Sequence, residues 1–221
     1  MKKYIPEVLS PLRQKRIYIP KAVHEASGIR ILGHYIQSLI FTTDIVLIRN
    51  NDADAIMAVY PFTPQPVITH AIASVADKPV LMGIGGGTTK GKRVVNLALD
   101  AEFQGALAIV LNAPIDDGIL RAVRKTIDIP IVISIISLCD DVEARLENGA
   151  DILNVSAGIK TPEVVRVIRE KFPQVPIIAT GGPTELTIKE TIAAGANAIS
   201  FTPPTTAELM QSLMDTYRDE H

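Results

Sequence analysis

The feature of this sequence that most constrains its fold is a repeat of short apolar runs, each followed by a helical pattern, at a spacing of about 20–27 residues. The runs are continuous in Val, Ile, Leu and Ala and do not alternate with polar residues. Each run therefore predicts a strand covered on both faces, as in a parallel sheet flanked by helices. Seven such strands are predicted after residue 52: Ala55–Tyr60, Pro79–Ile84, Ala106–Leu111, Ile129–Ile136, Ala150–Val155, Val175–Thr180 and Ala198–Thr202.

The segments between these strands predict helices, the best bounded being Thr63–Ala76, Arg93–Gln104, Asp116–Ile127, Asp140–Asn148 and Thr161–Phe172. Proline is tolerated in a first helical turn, and Asp is a preferred cap, so we interpret the pairs Asp116-Asp117 and Asp140-Asp141 as helix starts. The turns that lead into three of the strands share one chemistry: Asn51-Asp52-Ala53-Asp54, Asn148-Gly149-Ala150-Asp151 and Ala194-Gly195-Ala196-Asn197.

The part before residue 52 is harder to assign. The short β-prone run Arg16–Pro20 is one candidate for strand one, and Ser38–Thr43 is the alternative. Residues 27–51 predict two helices or one kinked helix, with a new start near Asp44. Seven clear strands and one such N-terminal strand make eight. We therefore predict a single-domain (β/α)8 TIM barrel over residues 16–221, with an N-terminal arm over residues 1–15.

Composition narrows the function classes. Lys and Arg total 22 against 24 Asp and Glu, so the net charge of −2 gives no general attraction to nucleic acid or to an anionic membrane. The single cysteine, Cys139, favours a reducing compartment, and no apolar run is long enough for a membrane helix. We expect a cytoplasmic protein with no nucleic-acid or membrane partner.

An anion site is predicted after strand seven. Gly181 and Gly182 leave backbone N–H groups unscreened, and the helix that follows Pro183 adds the positive end of its dipole. In (β/α)8 barrels the loops after strands seven and eight often bind phosphate. The alternative is structural, because Gly-Gly-Pro is also a tight turn that lets a helix pack closely.

The stretch PIIATGG…E…AAGANAISFTPP, within residues 176–204, resembles the C-terminal quarter of the ribulose-phosphate-binding barrels. This superfamily includes N-acetylmannosamine-6-phosphate epimerase and the keto-deoxy-phosphogluconate aldolases. The resemblance implies a phosphate on Gly181 and Gly182 and on the loop at Thr202. The chain departs from the pattern at Pro203-Pro204, since proline lacks an N–H. It also lacks the aldolases' lysine on strand six.

Polar residues at the predicted strand ends are the candidates for chemistry. Lys21 follows the first candidate for strand one, Asn112 follows strand four, Asn154 ends strand six, and Ser156 lies just beyond it. An amide can donate to and accept from a substrate hydroxyl or carbonyl without changing charge. We predict catalytic roles for Lys90, Asn112, Asn154 and Lys21, and a phosphate contact for Ser156. An asparagine after a strand also commonly just closes a turn.

The loop after strand three is rich in glycine and contains Gly85, Gly86, Gly87, Thr88, Lys90 and Lys92. Residues 86–92 fit the spacing of a nucleotide-binding P-loop, but Arg93 replaces the Ser or Thr that would hold magnesium. We therefore interpret the loop as a lid over the barrel mouth, with Lys90 or Lys92 reaching a substrate phosphate or carboxylate.

These observations leave three function classes. The first is an enzyme that acts on a small phosphorylated sugar or acid by isomerisation, epimerisation, lysis or hydrolysis. The second is a phosphometabolite-binding regulator on the same barrel, similar to glycerol-3-phosphate-responsive antiterminators. The third is an FMN-binding barrel enzyme, since that cofactor uses the same loops. We favour the enzyme, expect no resident cofactor or metal, and predict a homo-oligomer from the apolar region 29–48.

Overall fold

The computed structural model describes residues 15–219 and, before them, residues 4, 6, 8 and 10. Eight parallel strands in this part of the chain close into a barrel, so the predicted (β/α)8 fold is confirmed. The barrel follows chain order, and its last strand pairs with its first: β3 (Ser38–Phe41), β4 (Ala55–Ala58), β5 (Val80–Gly85), β6 (Ala108–Leu111), β7 (Ile131–Ile135), β8 (Ile152–Val155), β9 (Ile177–Thr180) and β10 (Ala198–Phe201). All seven strands predicted after residue 52 are present.

Helices surround the barrel and connect its strands: α1 (Ile45–Arg49), α2 (Pro66–Val75), α3 (Lys92–Phe103), α4 (Asp117–Arg124), α5 (Val142–Glu147), α6 (Thr161–Lys171), α7 (Glu185–Ala193) and α8 (Thr206–Asp219). Short 3₁₀ helices cover Lys21–Glu25 and Gly158–Lys160. None of the helices within the described residues is long and apolar enough to cross a membrane. The predicted arm, residues 1–15, lies mostly outside the described part of the chain.

Strand one of the barrel is β3, which pairs with β4 and β10. The preferred prediction of Arg16–Pro20 was therefore wrong, and the alternative at Ser38–Thr43 is confirmed. Ile17 makes only an isolated bridge to Asn51. The prediction at residues 16–20 rested on β propensity alone. The sequence of β3 lies within a longer apolar stretch that also fits a helix, so it did not stand out as a strand.

The helix predicted between residues 27 and 43 was also wrong. Residues Ile29–Ile31 (β1) and His34–Ile36 (β2) form an antiparallel hairpin, which Gly33 turns with a φ of 88°. The side chains of Ile29, Ile31 and Ile36 are buried against the inner core at the amino-terminal end of the barrel. The predicted start near Asp44 is confirmed, because the Asp44 carboxylate caps α1.

The hairpin buries part of the apolar surface from which self-association is predicted, whereas Leu32, Tyr35, Ile45 and Val46 stay exposed. The apolar residues of region 29–48 are largely buried within one chain, including those of β1, β3 and the end of α1. They close the amino-terminal end of the barrel and cover its first strand. Oligomeric state therefore stays a prediction.

The repeated turns of the sequence have a common structural role. Asp54, Asp151 and Asn197 each precede a strand, and each side chain accepts a hydrogen bond from the backbone N–H at the start of the preceding barrel strand. The distances are 2.9 Å to the Ser38 N–H, 2.8 Å to the Ile131 N–H and 3.0 Å to the Ile177 N–H. The turn chemistry therefore fixes strand register at the amino-terminal end.

Strand alternation divides the apolar residues into two cores. Leu153 and Val155 of β8 pack outward against the helices, whereas Ile152 belongs to the inner core of the barrel. The inner core is filled by Leu39, Ala55, Met57, Leu81, Ala108, Val110, Val132, Ile152, Ile178 and Ala198. Since side chains alternate with a period of two, the residues two positions further along form the next layer toward the carboxyl ends of the strands.

Candidate functional site

The layer above the inner core is polar on one side of the barrel. Five consecutive strands, β6 to β10, place amide or hydroxyl side chains there: Asn112, Ser134, Asn154, Thr180 and Ser200. Ser134, Asn154 and Ser200 are buried. Within the described residues none of these inward positions carries an ionisable side chain. This layer is therefore a neutral, hydrogen-bonding surface.

Three of these side chains form a hydrogen-bonded chain. The Ser134 hydroxyl donates to Asn112 Oδ1 and accepts from Asn154 Nδ2, both at 3.4 Å. Asn154 Oδ1 is buried and has no hydrogen-bond partner. Leaving such a group unpaired costs about 1–3 kcal/mol, so this atom marks a place where a partner is missing.

A second pair lies at the mouth, where Thr180 donates to the Ser156 hydroxyl at 3.2 Å. Thr180 also lines a cavity of about 550 Å³ between the carboxyl ends of β9 and β10. Ser200, Gly182 and Thr202 line the same cavity. Of the residues predicted to bind phosphate, Gly182 and Thr202 line this cavity, and Ser156 lies beside it through its bond to Thr180.

The two glycines after β9 have different roles. A Cβ on Gly181 would lie 2.7 Å from the Ile199 side chain and 2.8 Å from that of Ile188, so Gly181 is required for α7 to pack on the barrel. Its N–H already bonds to the Ser200 carbonyl at 3.4 Å. Gly182 has a φ of 78° and is exposed at the cavity. Of the two predicted donors, Gly182 is the one available to an anion.

The β10 side of the cavity is less favourable to an anion than its β9 side. Pro203 and Pro204 contribute no N–H groups, and the Glu208 carboxylate also lines the cavity. Glu208 accepts from the Thr205 N–H at 2.7 Å and from its hydroxyl at 2.8 Å, and these bonds hold its pKa below the usual value. Thr202 remains as the exposed donor of that loop.

The glycine-rich loop after β5 is a folded turn. Gly86 and Thr89 exchange backbone hydrogen bonds at 3.3 Å, and the Gly87 N–H donates to the Pro114 carbonyl at 2.9 Å. A Cβ on Gly86 would lie 1.9 Å from the Asn112 carbonyl oxygen, so only glycine allows this approach of two backbones. Three N–H groups that a P-loop would offer to phosphate are therefore already occupied.

Next to this turn lies a cavity of about 260 Å³. Its wall includes Tyr60 and Phe62 from the loop after β4, and its floor includes Gly85, Thr88 and Asn112. Asn112 therefore links the cavity to the hydrogen-bonded chain inside the barrel.

The predicted lysines lie apart from the polar layer. Lys90 lines a separate groove with Pro114 and Asp116, and Lys92 begins α3 in an exposed position. Lys21 belongs to the 3₁₀ helix that packs against α7, because strand one begins only at Ser38. The structure brings Asn112, Asn154 and Ser156 to the carboxyl end of the barrel, but not Lys21.

Of the two Asp pairs predicted as helix caps, one residue of each is confirmed as a cap. Asp116 accepts from the Gly118 N–H at 2.8 Å, and Asp141 accepts from the Ala144 N–H at 3.0 Å. Asp117 pairs with Arg145, whereas Asp140 folds its own loop by accepting from the Ile136 and Ser137 N–H groups.

Two polar residues near the carboxyl ends of strands were not among the predicted site residues. Asp44 stands at the carboxyl end of β3, where it accepts from the Thr206 hydroxyl and the α1 backbone; the Thr206 bond is the main reason that its pKa lies below the usual value. Ser134 was missed because it lies inside an apolar run. The available signal was its position two residues after Val132, because residues two positions apart on a strand lie on the same face.

Comparisons with known proteins support the fold. No protein-family model matches the chain, and no curated protein matches it. Solved structures do match. Phosphoenolpyruvate phosphomutase from Streptomyces platensis subsp. rosaceus has a TM-score of 0.64 at 14% identity, covering 90% of this chain and 85% of its own. Oxaloacetate acetylhydrolase in complex with oxalate has a TM-score of 0.65 at 14% identity, covering 89% of this chain and 83% of its own. Phosphonopyruvate hydrolase in complex with oxalate and Mg²⁺ has a TM-score of 0.60 at 16% identity, covering 82% of this chain and 79% of its own.

These neighbours confirm the TIM barrel. None of the three is named as a ribulose-phosphate-binding enzyme, the group that the C-terminal quarter of this sequence resembles. At this identity they show the fold alone, so membership in that superfamily stays a prediction.

The described residues contain no cluster of metal-ligating side chains to match the magnesium ion named for one neighbour. Mg²⁺ prefers carboxylate oxygens, and no three His, Cys, Asp or Glu side chains among these residues come together.

Proposed function

We propose that this protein is an enzyme that acts on a small phosphorylated sugar or acid at the carboxyl end of its barrel, with the phosphate between the loops after β9 and β10. The cavity between these loops carries the proposal. It is large enough for a phosphate group, and it adjoins the neutral polar layer that would contact the rest of the substrate. The neighbours named above, whose names include a phosphomutase and two hydrolases, agree with this substrate class.

The proposed phosphate ligands are the Gly182 N–H and the Thr202 backbone and hydroxyl, with Ser156 and Thr180 at the rim. Asn112 and Asn154 would bind and orient the substrate. Lys90 remains the proton-transfer candidate proposed from the sequence, although reaching a substrate would require its side chain to turn from its present groove. This arrangement is consistent with an isomerase, epimerase, lyase or hydrolase.

A second function is favoured by one observation, the neutral layer itself. Proton transfer needs an ionisable group at the substrate, and the inward positions of β6 to β10 hold amides and hydroxyls only. A regulatory barrel that binds a phosphometabolite without converting it needs no ionisable group at these positions. Incubating the protein with each bound compound and following the compound by ³¹P NMR separates the two functions, because only the enzyme changes the spectrum.

The binding test is a thermal-shift screen with inorganic phosphate, phosphorylated sugars and acids, and FMN. The variant is Thr202→Glu, which places a negative charge at an exposed position of the cavity. Gly182 is a poorer choice, since its φ of 78° and the Thr187 hydroxyl 2.6 Å from an added Cβ would strain any side chain. Asn96→Glu, on the exposed face of α3, is the matched control for added charge.

We expect phosphorylated compounds to raise the melting temperature of the wild type and of Asn96→Glu. A ligand at a hundred times its Kd stabilises the folded state by about 2.7 kcal/mol. The shift should be lost in Thr202→Glu. If no phosphorylated compound shifts the wild type, the proposal is wrong. A shift with FMN alone would identify a flavin-binding barrel instead.

A further inference from the structure

The hydrogen-bonded chain Asn112–Ser134–Asn154 limits what kind of ligand the barrel can hold. It lies inside the barrel on three neighbouring strands, and Ser134 and Asn154 are each only 8% exposed. Ser134 and Asn154 are direct register partners on β7 and β8. Their side chains therefore lie side by side inside the barrel, just below its opening at the carboxyl ends of the strands.

The donor and acceptor capacity of the Asn112–Ser134–Asn154 hydrogen-bonded chain follows from the chemistry of its side chains. A serine hydroxyl has one proton, so if Ser134 donates to one asparagine it must accept from the other. The present direction leaves the Asn154 carbonyl oxygen and the Asn112 amide group without partners among the described residues. Rotating both amides by 180° reverses the chain and exchanges the two free ends. Either way, one end offers an acceptor and the other offers a donor.

We infer that the Asn112–Ser134–Asn154 hydrogen-bonded chain recognises a neutral hydroxyl-bearing segment of the ligand, so that the substrate is a phosphorylated polyol or sugar. The inference rests on the proposed function, which supplies the phosphate site. A hydroxyl both donates and accepts, and two neighbouring hydroxyls, or a hydroxyl beside a carbonyl, satisfy both ends at once. A fully ionised planar acid such as oxalate only accepts, so it leaves the free acceptor unpaired.

The charge of the site leads to the same conclusion. No lysine, arginine or histidine among the described residues reaches this layer, so a second negative charge on the ligand would meet no cation there. The cavity at Asn112 and the cavity between β9 and β10 open on opposite parts of the mouth. A ligand with its phosphate at Gly182 would extend its uncharged part across Asn154.

The test measures Kd by calorimetry for pairs of probes that differ in one hydroxyl: ribose 5-phosphate with 2-deoxyribose 5-phosphate, and glucose 6-phosphate with 2-deoxyglucose 6-phosphate. Oxalate is the donor-free anion. The variants are Asn154→Leu, which keeps the side-chain shape without the amide, and Ser134→Ala, which breaks the chain. Thr69→Val removes a buried hydroxyl on α2 that lines neither the cavity at Asn112 nor the cavity between β9 and β10, and is the control.

We expect at least one hydroxylated probe to bind the wild type about tenfold or more tightly than its deoxy partner. The preference should disappear in Asn154→Leu, shrink in Ser134→Ala and persist in Thr69→Val. Circular dichroism establishes that each variant is folded, and Ser134→Ala carries the test if Asn154→Leu is not.

Two results would overturn the inference while leaving the phosphate site in place: a hydroxyl preference unchanged in both variants, or phosphorylated probes that bind without distinguishing the deoxy compounds. Tight binding of oxalate in competition with the phosphorylated sugars would also overturn it. If these sugar phosphates do not bind but a phosphorylated acid of the thermal-shift screen does, the inference fails and the proposed function stands. If no phosphorylated compound of either class binds, both fail.

Discussion

Replacing Arg169 by methionine should destabilise the half of the barrel that carries the proposed phosphate site. The Arg169 guanidinium donates to the Gly195 carbonyl at 2.8 Å and to Asn197 Oδ1 at 2.7 Å. On its other side it donates to the Val175 and Pro173 carbonyls, both at 2.8 Å. One side chain therefore joins the end of α6 to the turns that lead into β9 and β10.

The magnitude follows from the acceptors left behind. The Gly195, Asn197 and Val175 acceptors are partly buried, and an unpaired buried acceptor costs about 1–3 kcal/mol. Water reaches part of this region, so we count about two such losses at the lower half of that range. The expected loss in the free energy of unfolding is about 2–4 kcal/mol. Arg169→Lys should recover only part of it, since one ammonium group does not reach both sides.

The assay is urea denaturation at pH 7, comparing Arg169→Met with Arg166→Met. Both positions lie on α6, and Arg166 is exposed, so the control matches the change in charge and helix propensity. Surface substitutions of this kind usually stay within about 0.5 kcal/mol. A loss at Arg169 no larger than that at Arg166 would refute the reasoning that this side chain holds the two turns together.

Two further predictions concern the same end of the molecule. Gly181→Ala should lower the free energy of unfolding by about 1–3 kcal/mol, because its Cβ would overlap the Ile188 and Ile199 side chains; an unchanged urea midpoint would show that α7 can move aside. Asp44→Asn should be less stable than the wild type at pH 7. Because the folded-state pKa of Asp44 is lowered, its contribution is complete above the ordinary aspartate pKa of about 3.9 and is lost as the pH falls through the lower folded value. Stability curves of the two proteins should therefore converge in acid, and a constant difference between them would contradict this role.

Much of the fold was readable from local patterns. Continuous apolar runs such as Ala106–Leu111 indicate strands covered on both faces wherever they occur, and Asp116 or Asp141 before a helical pattern marks its start through a local hydrogen bond. These signals depend on neighbours within a few residues, so the sequence carries them directly. The strand-end asparagines Asn112 and Asn154 were found for the same reason.

The first strand was not readable in this way. Residues 27–43 are apolar enough to satisfy a helix or a set of short strands, and the choice depends on partners far along the chain. β3 becomes a strand because β10 closes the barrel against it, and Ile29, Ile31 and Ile36 become a hairpin because they cover the open end of the inner core.

The sequence by itself determined the repeat, the class of fold, the caps and the candidate residues after each strand. Only the tertiary structure decided which of those residues share a site. Strand register placed Ser134 between Asn112 and Asn154 inside the barrel, and it left Lys21 on the outside against α7. The physical reason is that inward or outward direction is set by pairing with neighbouring strands, and a shift of one residue would reverse it.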